Sequence, residues 1–403
     1  MNVTLDNIFA FFVLILILVT FIGYIIPSAY LSFNTVEEHQ LEEVAQAIMD
    51  KAVLNPGYPE DWGNITEVNY DNNLLSFGLQ KADGEPYELD VDKVLRIVNV
   101  GDLQLPSTVR VNYSRIAELL GLSNKYGFSI RIRPALNVSI LRSGTSNFMG
   151  QTVISTVDVS VKTPEGRPAI GANVTGLYIF MNVRNKGGGN VSYVNYTYEA
   201  SVTNWEGKAT IDFQRYLQDL AKQIKTGEFK KAIPSIVVYA EYYGIRAINS
   251  TVLGEESDVL KGMAVGNYLI VDYDIEDILG AAQLQNVAGL ATPPYYVYLS
   301  PLLNDTDGKS GRVINPGAKN HRVYKLSGKV DDDVSFMIMP VKQRGWPHAK
   351  IVVFYRPPFT AICQRGWASG NIKTSVLKRM VRMGSFHYIF EVRVWRSGET
   401  WGE

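Results

Sequence analysis

Three rhythms of apolar and polar residues divide this chain. From Ile8 to Ile26, nineteen consecutive residues carry no charge and give no polar face at any period. As a helix rising 1.5 Å per residue they reach about 28 Å, the thickness of a bilayer core, so the pattern predicts a spanning helix. From Val36 to Leu54 the pattern changes. Leu41, Val44, Ala45, Ile48, Met49, Ala52 and Val53 recur at three-and-four spacing, with Glu37, Glu38, Glu42, Glu43 and Lys51 on the other side, which predicts an amphipathic helix. Together the two stretches predict a rod of roughly 50 residues, about 75 Å if unbroken, kinked at Pro27 and stopped at Asn55-Pro56-Gly57. Two separate helices meeting at Pro27 are the alternative.

Further along, the period shortens to two. Val153, Ser155, Val157, Val159 and Val161 alternate with Ile154, Thr156, Asp158, Ser160 and Lys162, the mark of a strand with two distinct faces. Strands are also predicted over Tyr126–Arg133, Leu136–Leu141, Ile236–Tyr239, Asn267–Tyr273, Val334–Met339 and Lys350–Tyr355, with a short helix over Tyr113–Leu120. A final hairpin turns at Gly384-Ser385, with Phe386, Tyr388, Phe390, Val392 and Val394 on one face opposite Ser375–Met383. That face has to pack, and the apolar side of Leu41–Val53 is the expected partner. The fold class expected is a long N-terminal α-helix, transmembrane then amphipathic, followed by a mainly β multi-domain part with a β-sandwich. Its divisions fall at 1–57 (helix), 58–150 (small α+β segment), 151–253 (sandwich) and 254–403 (β-rich basic domain).

A cleaved secretory signal is the rival reading of the first stretch. Such signals have a basic start, an apolar core of about 7 to 15 residues and a small-x-small exit, and Ile8–Ile26 has none of these. Orientation is read from glycosylation acceptors. Asn-x-Ser/Thr occurs at Asn2, Asn64, Asn112, Asn137, Asn173, Asn190, Asn195, Asn249 and Asn304, more often than the composition alone would give. The expectation is a single-pass membrane protein in contact with lipid, N-terminus inside and C-terminal part extracellular at the cell surface.

Composition refines this picture. The chain has 403 residues, 46% of them apolar, enough for two or three packed domains. Formal net charge is −1, yet residues 311–403 hold 16 Lys and Arg against 6 Asp and Glu, a net of +10, which leaves −11 on the rest. The basic end is read as a solvated surface, with an acidic surface ligand as the alternative; no nucleic-acid motif is present. Cys363 is the single cysteine, so an intramolecular disulfide is excluded, and the residue is read as buried filler.

An acid just before a uniformly apolar stretch, in LDNIFAFF, then a proline and an amphipathic half leading to a β-rich part, resembles the archaeal type IV pilin-like surface proteins over about residues 1 to 150. The run NPGYPEDWG, followed by SFGLQ, YELDVDKV and AELLGL, resembles segments after the helix in such proteins. The resemblance implies that Asp6 pairs with the N-terminal amine of a neighbouring subunit, and that the helix binds copies of itself or other pilin-like subunits. Asp6 at a water interface is the competing reading. The words SVKTPEGRPAIGANVT and TNWEGKATIDF resemble immunoglobulin-like and carboxypeptidase-regulatory-like sandwiches, which implies a spacer or adhesion module over 151–253.

His39, His321, His348 and His387 lie far apart without metal-ligand spacing, and no G-x-S-x-G occurs. Asp305 and Asp307, after Asn304, place oxygen atoms two residues apart as half a calcium loop does, but no Glu closes it, and neither metal nor cofactor is expected. The function expected is a structural pilin-like filament or tip subunit, not an enzyme. A non-polymerising anchored adhesin or receptor is the alternative.

Overall fold

A computed structural model of the chain describes residues 3–64, 73–97, 110–122, 125–186, 189–225, 227–254, 259–266, 268–271, 275–278, 297–298, 312–314, 322–325, 336–343, 349–355, 360–365 and 373–397. Of these, 50% are strand and 25% helix, arranged in several small sheets.

The N-terminal rod is divided. Helix α1 (Val3–Thr20) ends in a π turn over Phe21–Ile25, and α2 (Ile26–Val53) follows. Pro27 has no N–H to return to the Gly23 carbonyl, and the wider turn falls over that position, N-terminal to the kink the sequence suggested. This division corrects the expected fold class. The stretch with described side chains, Phe9–Tyr24, has 16 residues and extends about 24 Å, short of the ~30 Å hydrocarbon core. Helix α2 has the length but carries Glu37, Glu38, Glu42 and Glu43. Among the described residues no helix is long and apolar enough to cross a membrane. The single-pass anchor is overturned, and with it the localisation at a cell membrane with an extracellular C-terminal part.

After α2, the chain folds through α3 (Val91–Ile97) and α4 (Tyr113–Leu119) into β1 (Tyr126–Pro134). It then leaves for a two-layer β unit. One layer is β2 (Asn137–Phe148), β3 (Gln151–Lys162) and β6 (Lys208–Asp212); the other runs β5 (Gly189–Val202), β4 (Asn173–Lys186), β7 (Phe229–Tyr242), β8 (Ile245–Val252). Helix α5 (Gln214–Gln223) adds Leu217 and Leu220 to their shared core. β2 pairs with β3 from Asn137 to Phe148, so this layer draws on residues before 151.

Strands β9 (Val259–Val265), β10 (Tyr268–Val271), β11 (Ile275–Ile278), β12 (Val297–Tyr298), β13 (Arg312–Ile314), β14 (Arg322–Lys325), β15 (Phe336–Gln343) and β16 (Ala349–Tyr355) form an eight-stranded mixed sheet. The chain then returns to the first layer it built. Strands β17 (Ala361–Arg365), β18 (Thr374–Met383) and β19 (Phe386–Arg396) join β1 in the order β17-β1-β19-β18, all antiparallel. β18 and β19 are joined by Gly384-Ser385, with Gly384 at φ +55°, a conformation glycine adopts without strain.

The inner face of this head sheet packs on the second half of α2. Leu41, Ala45, Ile48, Met49, Ala52 and Val53 share one core with Phe128, Ile130, Ile132, Phe390, Val392 and Val394. The packing expected of Leu41–Val53 against the last hairpin is therefore present. The same core takes in Leu177, Ile179 and Met181 of β4, whose other face, with Tyr178 and Phe180, lines the two-layer core. β4 is thus covered on both sides.

Candidate assembly surface and an arginine-lined crevice

The two halves of the N-terminal rod meet opposite fates. Thirteen large apolar side chains between Phe9 and Tyr24 are solvent-exposed, from 42% at Ile15 to 77% at Tyr24. No charge interrupts them, and the Thr20 hydroxyl is turned back on the Leu16 carbonyl at 2.7 Å. A helix apolar on every side is stable only when surrounded. Asp6 and Pro27 lie in these helices, but their side chains are outside the described ones.

The other half is fixed firmly. Besides its apolar face, Lys51 Nζ donates to the Leu119 carbonyl at 2.5 Å and Arg396 reaches the Gln40 amide oxygen at 3.1 Å. Below it lies the run NPGYPEDWG, for which the sequence suggested no chemistry. It wraps α3. Asp90 caps that helix by accepting from the Asp92 and Lys93 N–H groups at 2.8 and 3.2 Å. Lys93 Nζ donates to the Pro56 and Gln80 carbonyls, both at 2.8 Å, and Arg96 Nε donates to Gly63 O at 2.8 Å. Trp62, fully buried, donates from Nε1 to Gly78 O at 2.9 Å. Gly78 itself lies so close to the Asn55 backbone that any Cβ there would collide with it. The motif is a structural clamp at the foot of α2.

The sequons scatter. Asn112, Asn137 and Asn173 are exposed, although Asn112 also caps α4 by accepting from the Ser114 N–H at 3.0 Å. Asn64, Asn195 and Asn249 are half-buried. Asn195 accepts from Asn182 at 3.0 Å, and the Asn249 amide nitrogen, where a glycan would attach, donates to Val138 O at 2.6 Å. A sugar on Asn249 would replace one of the two hydrogens on a nitrogen already packed against Val138 O. Asn190 is placed in β5 by its backbone alone; Asn2, Asn304, Asp305 and Asp307 lie outside the described residues. Among the described residues no group of three or more His, Cys, Asp or Glu is placed to hold a metal. The Cys363 thiol is buried and desolvation pushes its pKa up to about 12, against a weaker opposing effect of Arg110, so it stays protonated at neutral pH.

One cavity was not foreseen. About 360 Å3 in volume, it opens where β1 and Thr360 of the head meet the start of β2, the turn after β3, and β8. Arg131 and Arg133 line it together with Asn137, Asn249, Thr163 and Thr360. The signal was present in RIRP: Ile130 and Ile132 face the core, so the intervening arginines face away from it. What the pattern could not give is the second wall, to which Thr163, Ile248, Asn249 and Thr360 are brought from other parts of the chain.

No known protein family matches the sequence, and no curated protein does.

Proposed function

We propose that this chain is a structural subunit that assembles with copies of itself through its N-terminal helix, in the manner of the pilin-like proteins that its first residues resemble. The observation that carries the reading is the exposed apolar surface of Phe9–Tyr24, on the same rod whose Leu41–Val53 face the head already buries. A flat partner surface covers one side of a helix. A bundle of like helices covers all sides, and burying even half of these side chains contributes on the order of 10 kcal/mol, comparable to the cost of association. The β-rich head, rooted by the α3 clamp, is then carried on the outside of the bundle.

The test is assembly of the full chain after detergent removal, followed by sedimentation velocity and electron microscopy. The parent chain is expected to form multimers or filaments, and a Leu14→Glu/Ile17→Glu variant to remain monomeric with unchanged head melting. A parent chain that stays monomeric, or a variant that assembles equally well, overturns the reading.

A further inference from the structure

The crevice between the head sheet and the two-layer unit carries an inference independent of assembly. We propose that it binds a small hydroxylated carboxylic acid, whose carboxylate is received by Arg131 and Arg133 and whose hydroxyls meet the surrounding amide and hydroxyl groups. Arg131 and Arg133 stand two residues apart on one strand, so their side chains leave the same face about 7 Å from each other. The Nε atoms of both are buried without a hydrogen-bond partner. A buried charged donor left unsatisfied is costly, and an anion in the crevice that drew either guanidinium toward it would relieve that cost.

Among the described residues, two acids near the arginines are already engaged. Glu391, 2% exposed, accepts from Arg393 at 2.6 Å and faces Lys378 Nζ at 3.6 Å. Burial disfavours its charge, but the hydrogen bond and charge of Arg393, with Lys378 and Arg133, win and hold its pKa below the usual value. Glu165, on the turn at the mouth, is fully exposed and answers first to its own backbone N–H and the Thr163 hydroxyl, then to Arg133 and Arg167. Arg133 also sends Nη1 to the Pro164 carbonyl at 3.4 Å. Arg131 and Arg133 are the charged residues of the described lining, and no carboxylate stands in it beside them, leaving positive charge at the crevice.

Shape and lining then choose among anions. A guanidinium offers parallel N–H donors matched to a planar carboxylate. The volume falls within the range of small-molecule sites, well beyond a bare inorganic ion. Asn137 and Asn249, with Thr163 and Thr360, offer both donors and acceptors, as hydroxyls require. The Asn249 amide is held in one orientation, since it donates to Val138 O and its oxygen accepts from the Ser250 N–H at 2.8 Å.

The test is calorimetric titration of the full chain with D-glucuronate, acetate, inorganic phosphate and glucose. Glucuronate is expected to bind at least about tenfold more tightly than acetate or phosphate, and glucose not measurably. Arg131→Gln and Arg133→Gln are each expected to weaken glucuronate binding about tenfold to a hundredfold, the range for a charge-assisted hydrogen bond. Lys222→Gln, on the exposed side of α5, is expected to change nothing. Should the arginine variants fail to fold, labelling the parent chain with phenylglyoxal decides the matter, with glucuronate and not glucose shielding Arg131 and Arg133. Phosphate binding as tightly as glucuronate, undiminished binding in both arginine variants, or absence of shielding each overturns the proposal.

Discussion

Residues 9–24 and 41–53 belong to one N-terminal rod, yet the first projects bare while the second lies under a sheet. The difference is one of angular distribution. Leu41–Val53 keeps its apolar residues on one face, which a single sheet can cover, and its glutamates on the other, which water can reach. Phe9–Tyr24 has no polar face, so no docking on its own head could satisfy it. Hydrophobicity states how much surface must be buried. Its distribution around the helix decides whether the same chain can do it.

A charge placed in each half breaks this comparison most sharply. Met49 is fully buried among the head residues, so Met49→Asp leaves a short carboxylate with no route to water and is expected to destabilise the head by about 4 kcal/mol or more. Ile17→Asp, at a position 63% exposed, is expected to shift head stability by no more than about 0.5 kcal/mol. Chemical denaturation of the two variants, followed by tryptophan fluorescence, checks the pair. Equal losses would mean that the first half folds with the head, contrary to its exposure.

A smaller effect tests whether the second half depends on its clamp. Arg96→Met removes the donor to Gly63 O inside a buried cluster, and a loss of about 1–3 kcal/mol is expected for the carbonyl left without it. Because α3 holds the loop that follows α2, hydrogen exchange of the 48–53 amides should accelerate, while the 9–24 amides stay as they were. Unchanged exchange at 48–53 would separate the clamp from the helix.

Both halves were visible in the sequence as patterns, but only one was visible as an outcome. The three-and-four spacing of Leu41–Val53 and the alternation of Phe386–Val394 each specify a single face, and two single faces of matching length pair with little ambiguity. The uniform run Ile8–Ile26 specifies only a demand for burial, which lipid and a bundle of helices meet equally well in composition. The break at Phe21–Ile25 is a backbone event that hydropathy does not record. Strand β4 was hidden for a related reason. Covered on both sides, Leu177-Tyr178-Ile179-Phe180-Met181 loses the alternation that betrays a half-exposed strand. Helix α3 was hidden by its charges, since Asp92, Lys93 and Arg96 resemble a surface helix until their carbonyl and N–H partners are brought from loops elsewhere. Arg131 and Arg133 could be assigned to a face, but not to a crevice whose other wall is non-local.

Acid provides the mildest way to sharpen the contrast. His387 opens β19, the strand on which the second half of α2 rests, and its Nδ1 accepts from the Arg246 N–H at 3.2 Å. Burial lowers its pKa below the ordinary 6.5; the neighbouring charges of Arg246 and Arg382 lower it further, and Glu241 opposes them. The unfolded chain therefore binds this proton more readily than the folded one. Stability from the neutral ring is full above about pH 6.5 and declines as pH falls from there toward the lower folded-state value. Glu88 and Glu391, both held below the usual carboxylate value, release their contributions only at more acidic pH. No Asp, Glu, His, Lys or Arg lies between Phe9 and Tyr24, so self-association through that surface rests on apolar contact. Melting temperature is expected to drift down between pH 7 and pH 5 in the parent chain and to drift less in His387→Gln, while sedimentation at the same pH values shows assembly unchanged. A drift equally steep in the variant would remove His387 from the account, and loss of assembly over that range would show that the bare half is not held by apolar contact alone.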